Sequence, residues 1–172
     1  PPAAELGRTR ARDTLKLHGN SPLCPVSDEH VARLGEVESR HGYGDPFDVA
    51  GGVDAGGYEV TLFDAGHIPG SAHVLVDDGD ARLLYTGDFH TDDQRLVSGT
   101  TARPDADAVI CEATYADVSH EDRRSVEARW AERVQTTIWE GGAVRAPAFA
   151  IGRPQELMLV AAATDRPPSV DG

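Results

Sequence analysis

The hydrophobic pattern predicts a set of strands from residue 58 onward. Apolar and polar side chains alternate through 58–64, as in a strand that buries one of its faces. The segments 71–76 and 81–86 are also strand-like, and the Asp-Asp-Gly-Asp sequence between them predicts a hairpin turn. The apolar run 107–115 predicts a further strand, which we expect to be buried. The middle of the chain should therefore form a sheet.

The period of the pattern lengthens after residue 115. Apolar side chains recur every four residues through 119–142 and predict one face of a long helix. These side chains are Val126, Trp130, Val134 and Ile138. The segment 143–150 predicts a short strand, and 152–164 predicts a second helix with a proline in its first turn. The change from a sheet pattern to alternating strands and helices predicts a domain boundary near residue 115.

A helix is also predicted before the strands. Ser27 is a suitable N-cap, because two acidic residues follow it and apolar residues then recur at helical spacing. Gly42 should end this helix. The glycine-rich segment 46–60 predicts turns around short strands.

Length and composition limit the class of protein. A chain of 172 residues suits one domain, or one domain and part of another, and 40% apolar residues are adequate for a core. Neither an apolar run of the roughly 20 residues that a transmembrane helix needs nor a secretory signal is apparent, so we expect a cytoplasmic protein without a membrane partner. Cys24 falls in a predicted loop, and Cys111 in an apolar run that predicts a buried thiol. Neither forms a Cys-x-x-Cys motif, so we expect no disulfide and no thiolate zinc site.

The charge is strongly negative. The net charge is −13, Lys16 is the only lysine among 16 basic residues, and Asp outnumbers Glu by 18 to 11. This balance favours a halophilic surface kept soluble by carboxylates, and a GC-rich genome would give a similar bias. It argues against nonspecific nucleic-acid binding by the bulk surface, which normally needs a basic face, but it allows a local basic cleft.

Two residues at predicted strand ends have the chemistry of metal ligands. His67 directly follows the strand 58–64, and Asp88 follows Gly87 at the end of the strand 81–86. Imidazole and carboxylate groups are good zinc ligands, and a carboxylate can bridge two metal ions. The alternative is that both are hydrogen-bonding turn residues. Among the other histidines, His73 alternates within a strand and is expected to be structural. His90 follows Asp88 closely and is expected to be exposed, with support of a metal ligand as the alternative.

Two further polar residues interrupt predicted elements. Glu112 ends an apolar strand, where a carboxylate needs a partner because an unpaired buried charge is costly. It either orients a metal-bound histidine or forms a salt bridge. Arg153 lies at a strand-to-helix turn, where a helix N-terminus and an arginine suit a phosphate group. An arginine that caps Glu156 would have the same pattern.

Four stretches in this order resemble the metallo-β-lactamase-fold nucleases of the β-CASP group. They are FDAGHIPGSAH, LLYTGDF, ICEATY and PAFAIGRPQEL, and the similarity extends over roughly residues 1–165. The nearest branch is the one that contains the cleavage and polyadenylation specificity factor endonuclease and its archaeal relatives. The resemblance implies an α/β protein: a partial αββα metallo-β-lactamase fold followed by the start of an inserted α/β β-CASP domain. Residues 1–115 would be the C-terminal portion of the first metallo-β-lactamase half, and 116–172 the beginning of the β-CASP domain.

The resemblance also implies roles for residues. His67 and Asp88 match metal ligands, with Asp88 bridging two zinc ions in the complete protein. Glu112 matches an acid that supports a catalytic histidine, and Arg153 falls near the path of an RNA substrate, so it is expected to bind substrate. The implied activity is that of a zinc-dependent, RNA-cleaving phosphodiesterase of the mRNA 3′-end-processing or exonuclease-like type. The resemblance leaves open a homodimer of the full-length protein.

The family's main metal motif, His-x-His-x-Asp-His, does not occur in the chain. We therefore expect an internal piece of a longer protein that is inactive by itself, with the missing motifs upstream of Pro1 and beyond Gly172. The alternatives are a non-catalytic β-CASP paralogue that acts as a scaffold or RNA-binding partner, a DNA-processing β-CASP nuclease, and a small-molecule hydrolase of the same fold.

Overall fold

Five strands and two helices are defined in the computed structural model, which describes residues 39–50, 56–148 and 151–162. The strands are β1 (Phe47–Val49), β2 (Tyr58–Asp64), β3 (Ala72–Asp77), β4 (Arg82–Tyr85) and β5 (Ala108–Ile110). The helices are α1 (Arg123–Trp139) and α2 (Arg153–Ala161). The chain divides into two compact units, Pro1–Asp45 and Pro46–Gly172, and all seven elements lie in the second.

The strands form one sheet in the order β1-β2-β3-β4-β5. The first four pair antiparallel as a meander, with Phe63 opposite His73 and Val74 opposite Tyr85. Strand β5 pairs parallel with β4. Because antiparallel neighbours alternate in direction, β2, β4 and β5 run the same way. Their carboxyl ends therefore meet at one edge of the sheet.

The hairpin predicted between β3 and β4 is confirmed. Asp77 Oδ1 accepts a hydrogen bond of 2.7 Å from the Gly79 N–H, and Asp78 Oδ1 accepts from the N–H groups of Asp80 and Ala81 at 3.0 and 2.8 Å. Gly79 has φ of 90°, a conformation that glycine adopts without steric cost. Aspartate side chains and one glycine thus make the turn that the sequence predicts.

The two helices predicted after residue 115 are both present in the described residues. The carboxylate of Asp122 caps α1 by accepting a hydrogen bond of 2.9 Å from the Ser125 N–H. Of the apolar stripe on α1, Val134 is buried, Trp130 and Ile138 are half-buried, and Val126 is exposed. In α2, Val160 and Ala161 are buried.

The buried interior includes polar groups as well as apolar ones. His73 is buried, and its Nδ1 donates to the Thr86 carbonyl at 2.9 Å while its Nε2 lies 3.3 Å from Thr100 Oγ1. The His73 ring also lies against Phe89, with the ring centroids 5.7 Å apart. These contacts agree with a structural role for His73.

Strand β5 differs from the expectation of a buried strand. It contains three residues, and Val109 and Ile110 are 56% and 53% exposed. Val109 and Ile110 are successive residues and point to opposite faces, so in the described residues no other layer covers either face of β5, which lies at the end of the strand order. The prediction of a buried thiol at Cys111 is wrong for the same reason, since the residue that follows β5 is exposed.

Two other predicted elements have different outcomes. Residues 143–148 contain no strand, and Pro147 lacks the backbone N–H that a strand pairing would use. The helix predicted from Ser27 falls mainly outside the described residues, and its described end, 39–42, is not helical.

Among the described residues, no helix has both the length and the apolar character needed to cross a membrane.

Candidate metal and phosphate site

The candidate site residues follow three strands that point to the same edge of the sheet. His67 lies after β2, Asp88 after β4 and Glu112 after β5. Chain direction therefore brings the three predicted residues to one side of the molecule. Strand ends suit functional groups, because the strand fixes the backbone while the side chain points away from the hydrogen-bonding ladder.

The turn that carries His67 is closed by its own short polar side chains. The Gly66 N–H donates to Asp64 Oδ1 at 2.8 Å, and the N–H groups of His67 and Ile68 donate to Ser71 Oγ at 3.1 and 3.3 Å. Such side-chain-to-backbone bonds are typical of aspartate and serine in turns. In this part of the chain, the hydrogen bonds of His67 involve its backbone, and its half-buried imidazole can serve as a ligand.

The segment 90–100 packs tightly against this turn. Gly66 has φ of 68°, and a Cβ atom there would overlap the backbone of Thr100 and of His90. The His90 N–H donates to the Ala65 carbonyl at 2.9 Å, and the His90 carbonyl accepts from the Thr100 N–H at 2.8 Å. Only glycine combines this backbone conformation with so close an approach.

Gln94 joins the same segment to the His67 turn. Its Nε2 donates to the carbonyls of Gly66 and His67, both at 2.9 Å. Its Oε1 lies 3.4 Å from Nη1 of Arg153. Sequence reasoning missed Gln94, because a single glutamine in a polar segment has no motif that distinguishes it from a solvated side chain.

Asp88 and Glu112 are presented in different ways. Asp88 is exposed after Gly87, whose φ of 55° allows the sharp turn expected there. Glu112 is half-buried, and its Oε2 accepts a hydrogen bond of 2.9 Å from the Thr114 N–H. Within the described residues Glu112 makes no ion pair, so the salt-bridge alternative finds no support there.

The pKa of Glu112 is lowered. The main cause is the hydrogen bond from the Thr114 N–H, followed by the Thr114 hydroxyl. The Phe89 backbone N–H and the positive charge of His67 act in the same direction, while burial acts against them. Glu112 therefore remains a carboxylate to a lower pH than an ordinary glutamate does.

His90 is half-buried, so the expectation of an exposed side chain is wrong. Burial lowers its pKa, and the positive charges of Arg123, Arg153 and His67 add to this effect, while Asp92 opposes it. The backbone bonds of His90 to the turn before His67 explain its partial burial. Three basic groups, Arg123, Arg153 and His67, thus lie near enough to His90 to act on its pKa.

Arg153 does not cap Glu156. Arg153 is exposed at the start of α2, and Glu156 is only 5% exposed. The Glu156 carboxylate instead accepts hydrogen bonds from the Leu96 N–H at 2.5 Å, the Arg95 N–H at 3.2 Å and Arg123 Nη2 at 2.9 Å. The Arg153 guanidinium thus keeps donors for an anion.

A shallow depression brings these groups together. It is lined by residues that include His67, Ile68, Gln94, Gly152, Arg153 and Glu156. The predicted metal ligand and the predicted phosphate-binding residue therefore both line this depression.

The side chains of His67 and Asp88 are of the types that bind zinc, but two ligands are too few for a complete zinc site. Imidazole and carboxylate oxygen are both zinc ligands, but a tetrahedral site needs about four ligands. No group of three or more His, Cys, Asp or Glu side chains that could hold a metal ion occurs in the described parts of the chain. His67 and Asp88 would be part of a larger ligand set.

Known proteins similar to this chain share one family. The endoribonuclease YSH1 of Eremothecium gossypii is 33% identical over 143 residues, 83% of this chain and 18% of the relative. The probable RNase MJ4 of Methanocaldococcus jannaschii is 38% identical over 107 residues, 60% of this chain and 25% of the relative. The chain belongs to the β-CASP family of metallo-β-lactamase-fold nucleases.

A third β-CASP relative is named for another process. The transcription termination factor FttA of Methanothermobacter thermautotrophicus is 33% identical over 150 residues, 83% of this chain and 22% of the relative. No protein-family model matches the chain. The chain spans between about a fifth and a quarter of the length of these three relatives. The mixed α/β architecture, with a five-stranded sheet and two helices, is compatible with part of a metallo-β-lactamase and β-CASP structure.

Proposed function

We propose that this chain is part of a zinc-dependent phosphodiesterase that cleaves RNA, of the type that processes mRNA 3′ ends or degrades RNA as an exonuclease. The observation that carries the proposal is the convergence of His67 and Arg153 on one depression. A metal ligand beside an exposed guanidinium suits a phosphodiester, because one group binds the metal and the other binds a phosphate oxygen. Two of the relatives described above carry the names of RNA-cleaving enzymes.

In this proposal His67 contributes imidazole and Asp88 contributes carboxylate oxygen to a site for two zinc ions. When bound, zinc would lower the pKa of a coordinated water and stabilise the negative charge that develops on the phosphate. Glu112, held as a carboxylate, would orient a histidine at the reaction centre. Arg153 would hold a phosphate oxygen and align the RNA backbone.

The proposal assigns residues 1–115 to the metallo-β-lactamase part and 116–172 to the start of the β-CASP part. The site would then use residues of both parts, with α2 supplying Arg153. The local basic groups support RNA binding in spite of the net charge of −13, because phosphate contacts depend on the field at the site.

The test uses the complete gene product that contains these 172 residues, loaded with Zn²⁺. End-labelled RNA and single-stranded DNA of the same sequence are incubated with the wild type and with His67→Ala, Asp88→Asn and Arg153→Gln. We expect cleavage of RNA that EDTA abolishes. We also expect loss of zinc in the first two variants, with His41→Ala as the matched control at an exposed histidine. Zinc content is measured by atomic absorption.

The substrate, the zinc ligand and the catalytic activity can each be contradicted by a separate result. Cleavage of DNA without cleavage of RNA would overturn the substrate. Unchanged zinc content in His67→Ala would overturn the ligand assignment. RNA binding without cleavage by the zinc-loaded protein would show a non-catalytic member of the family.

A further inference from the structure

We propose that Gln94 is a positioning residue that links Arg153 to the His67 turn, so that the phosphate-binding group and the metal ligand are held in register. The inference rests on the proposed function for the roles of Arg153 and His67. The geometry that supports it does not depend on those roles. Gln94 contacts both sides at once, with Nε2 on the turn and Oε1 towards the guanidinium.

The carboxamide of Gln94 matches what the two sides require. Its NH₂ group has two donor hydrogens, and each meets one carbonyl of the His67 turn at 2.9 Å. Its oxygen can only accept, and Arg153 can only donate. A hydrogen bond from a cation polarises the amide and strengthens the bonds that the amide itself donates. The position of the guanidinium therefore affects the two carbonyl contacts.

The base of the Gln94 side chain is held independently of these contacts. The Gln94 N–H donates to the Val97 carbonyl at 2.9 Å, which closes a turn. The next two residues donate their N–H groups to the buried carboxylate of Glu156 in α2. The backbone of Gln94 is thus attached to the helix that carries Arg153, while its side chain reaches the metal-ligand turn.

A second contact joins the start of α2 to the same turn. A Cβ atom on Gly152 would lie 2.5 Å from Ile68 Cγ2, so the helix start and the residue after His67 already touch. This contact fixes the separation of the two segments. Gln94 then fixes their alignment through directional bonds, which an apolar contact does not provide.

The test is a double-mutant cycle on the 172-residue chain, read by amide hydrogen exchange with NMR detection. The variants are Gln94→Met, Arg153→Gln and the pair, and the observed signal is the His67 N–H. Methionine keeps the length of the side chain, removes both donors and replaces the amide oxygen by a weakly accepting thioether. We expect Arg153→Gln to speed exchange of the His67 N–H when it is made in the wild-type background. The same substitution should have no effect on that exchange when it is made in the Gln94→Met background. The non-additivity should reach at least about twofold, the lower end for residues in contact.

Controls separate positioning from general destabilisation. The Gly79 N–H, in the hairpin turn at the opposite edge of the sheet, should exchange at an unchanged rate in every variant. Gln135→Met makes the same substitution at an exposed glutamine of α1 and should leave His67 exchange unchanged. Arg153→Lys keeps a cationic donor and should retain most of the coupling.

A second variant keeps the inference falsifiable if Gln94→Met unfolds the segment. Gln94→Glu retains acceptors towards Arg153 and removes both donors to the turn, so it should also abolish the coupling. Additive effects in the cycle, or His67 exchange that does not respond to Arg153→Gln, would overturn the inference. The cycle uses neither zinc nor RNA. If the complete protein fails the nuclease test, the proposed function is overturned. If the cycle still shows coupling, the Gln94 link stands.

Discussion

The guanidinium of Arg123, the first residue of α1, lies 2.9 Å from the carboxylate of Glu156 in the first turn of α2. The same carboxylate accepts the backbone N–H groups of Arg95 and Leu96. Glu127 extends the network through ion pairs with Arg95 and Arg123, at 2.9 and 2.7 Å. One buried acid therefore joins two helices and the segment that carries Gln94.

Removal of the Glu156 carboxylate should destabilise the chain strongly. Glu156→Ala leaves two backbone N–H groups and one guanidinium without their acceptor, and we expect a loss on the order of 3 kcal/mol in the free energy of unfolding. Urea unfolding followed by circular dichroism measures this loss. Glu132→Ala, at an exposed position of α1, is the matched control and should change the free energy by less than about 0.5 kcal/mol. Equal midpoints for the two variants would contradict the role of Glu156.

Gly79 and Gly66 both have positive φ, and their substitution by alanine separates the energetic cost of backbone strain from the cost of close packing. Gly79→Ala should cost about 1–2 kcal/mol, because φ is 90° and no atom lies within 4 Å of the added Cβ. Gly66→Ala adds overlap with the backbone of Thr100 and His90, so its cost should exceed that of Gly79→Ala by about 1–3 kcal/mol. Thermal and urea unfolding measure the difference. Equal losses would show that segment 90–100 is free to move away from the His67 turn.

Substitution of Arg153 should weaken RNA binding by the complete protein. Arg153→Gln removes a charge-assisted contact to phosphate, and we expect about tenfold weaker binding with a salt slope reduced by about 1. Fluorescence anisotropy with labelled RNA across a salt series gives both quantities. Arg145→Gln, another exposed arginine, should leave the affinity nearly unchanged. A similar loss in both variants would indicate a diffuse charge effect and no defined phosphate contact.

Acid should weaken the start of α1 through Asp122. Hydrogen bonds from the Ser125 N–H and hydroxyl lower the pKa of Asp122 below its ordinary value of 3.8. Because the folded-state pKa is lower than the unfolded-state pKa, the contribution to stability is full above the unfolded value. It is lost as pH falls through the folded value.

The variant Asp122→Asn tests this titration. Asparagine keeps the capping oxygen without a titrating group, so the variant should lose less helix signal in acid than the wild type. Circular dichroism across an acid titration measures the effect. Asp105→Asn, at an exposed position outside the helices, should retain the wild-type acid profile. Identical profiles for wild type and Asp122→Asn would contradict the capping assignment.

Salt should stabilise the chain. With a net charge of −13, carboxylate repulsion opposes folding, and added salt screens it. We expect the melting temperature to rise between dilute buffer and molar KCl. The ion pairs around Glu127 oppose this trend, because salt also weakens partly exposed pairs. A melting temperature that falls with KCl would show that these pairs outweigh the general repulsion.

Local patterns predicted the regular elements well. Alternation located β2, the Asp-Gly turn located the β3–β4 hairpin, and a four-residue period located α1. These features depend on residues close together in the sequence. The exposure of β5 was not predictable, because an apolar run shows that a strand can be buried and does not show whether another layer covers it.

The candidate site was predictable where chemistry and strand ends coincide. His67, Asp88 and Glu112 each follow a strand, and chain direction places those strand ends at one edge. The parts that were missed act across long sequence separations. Gln94 reaches residues 27 and 28 positions earlier, and Glu156 bonds to residues 60 and 61 positions earlier. No local signal marks such partners.

The strictly sequential order of the first four strands has a consequence for synthesis on the ribosome. Each of β2, β3 and β4 pairs with the strand made just before it, so the meander can assemble as the chain emerges. Strand β5 precedes Glu112, and α2 begins at Arg153. Both elements are added after the strand register of the meander has been set. Translation therefore delivers the turn that carries His67 before it delivers Arg153.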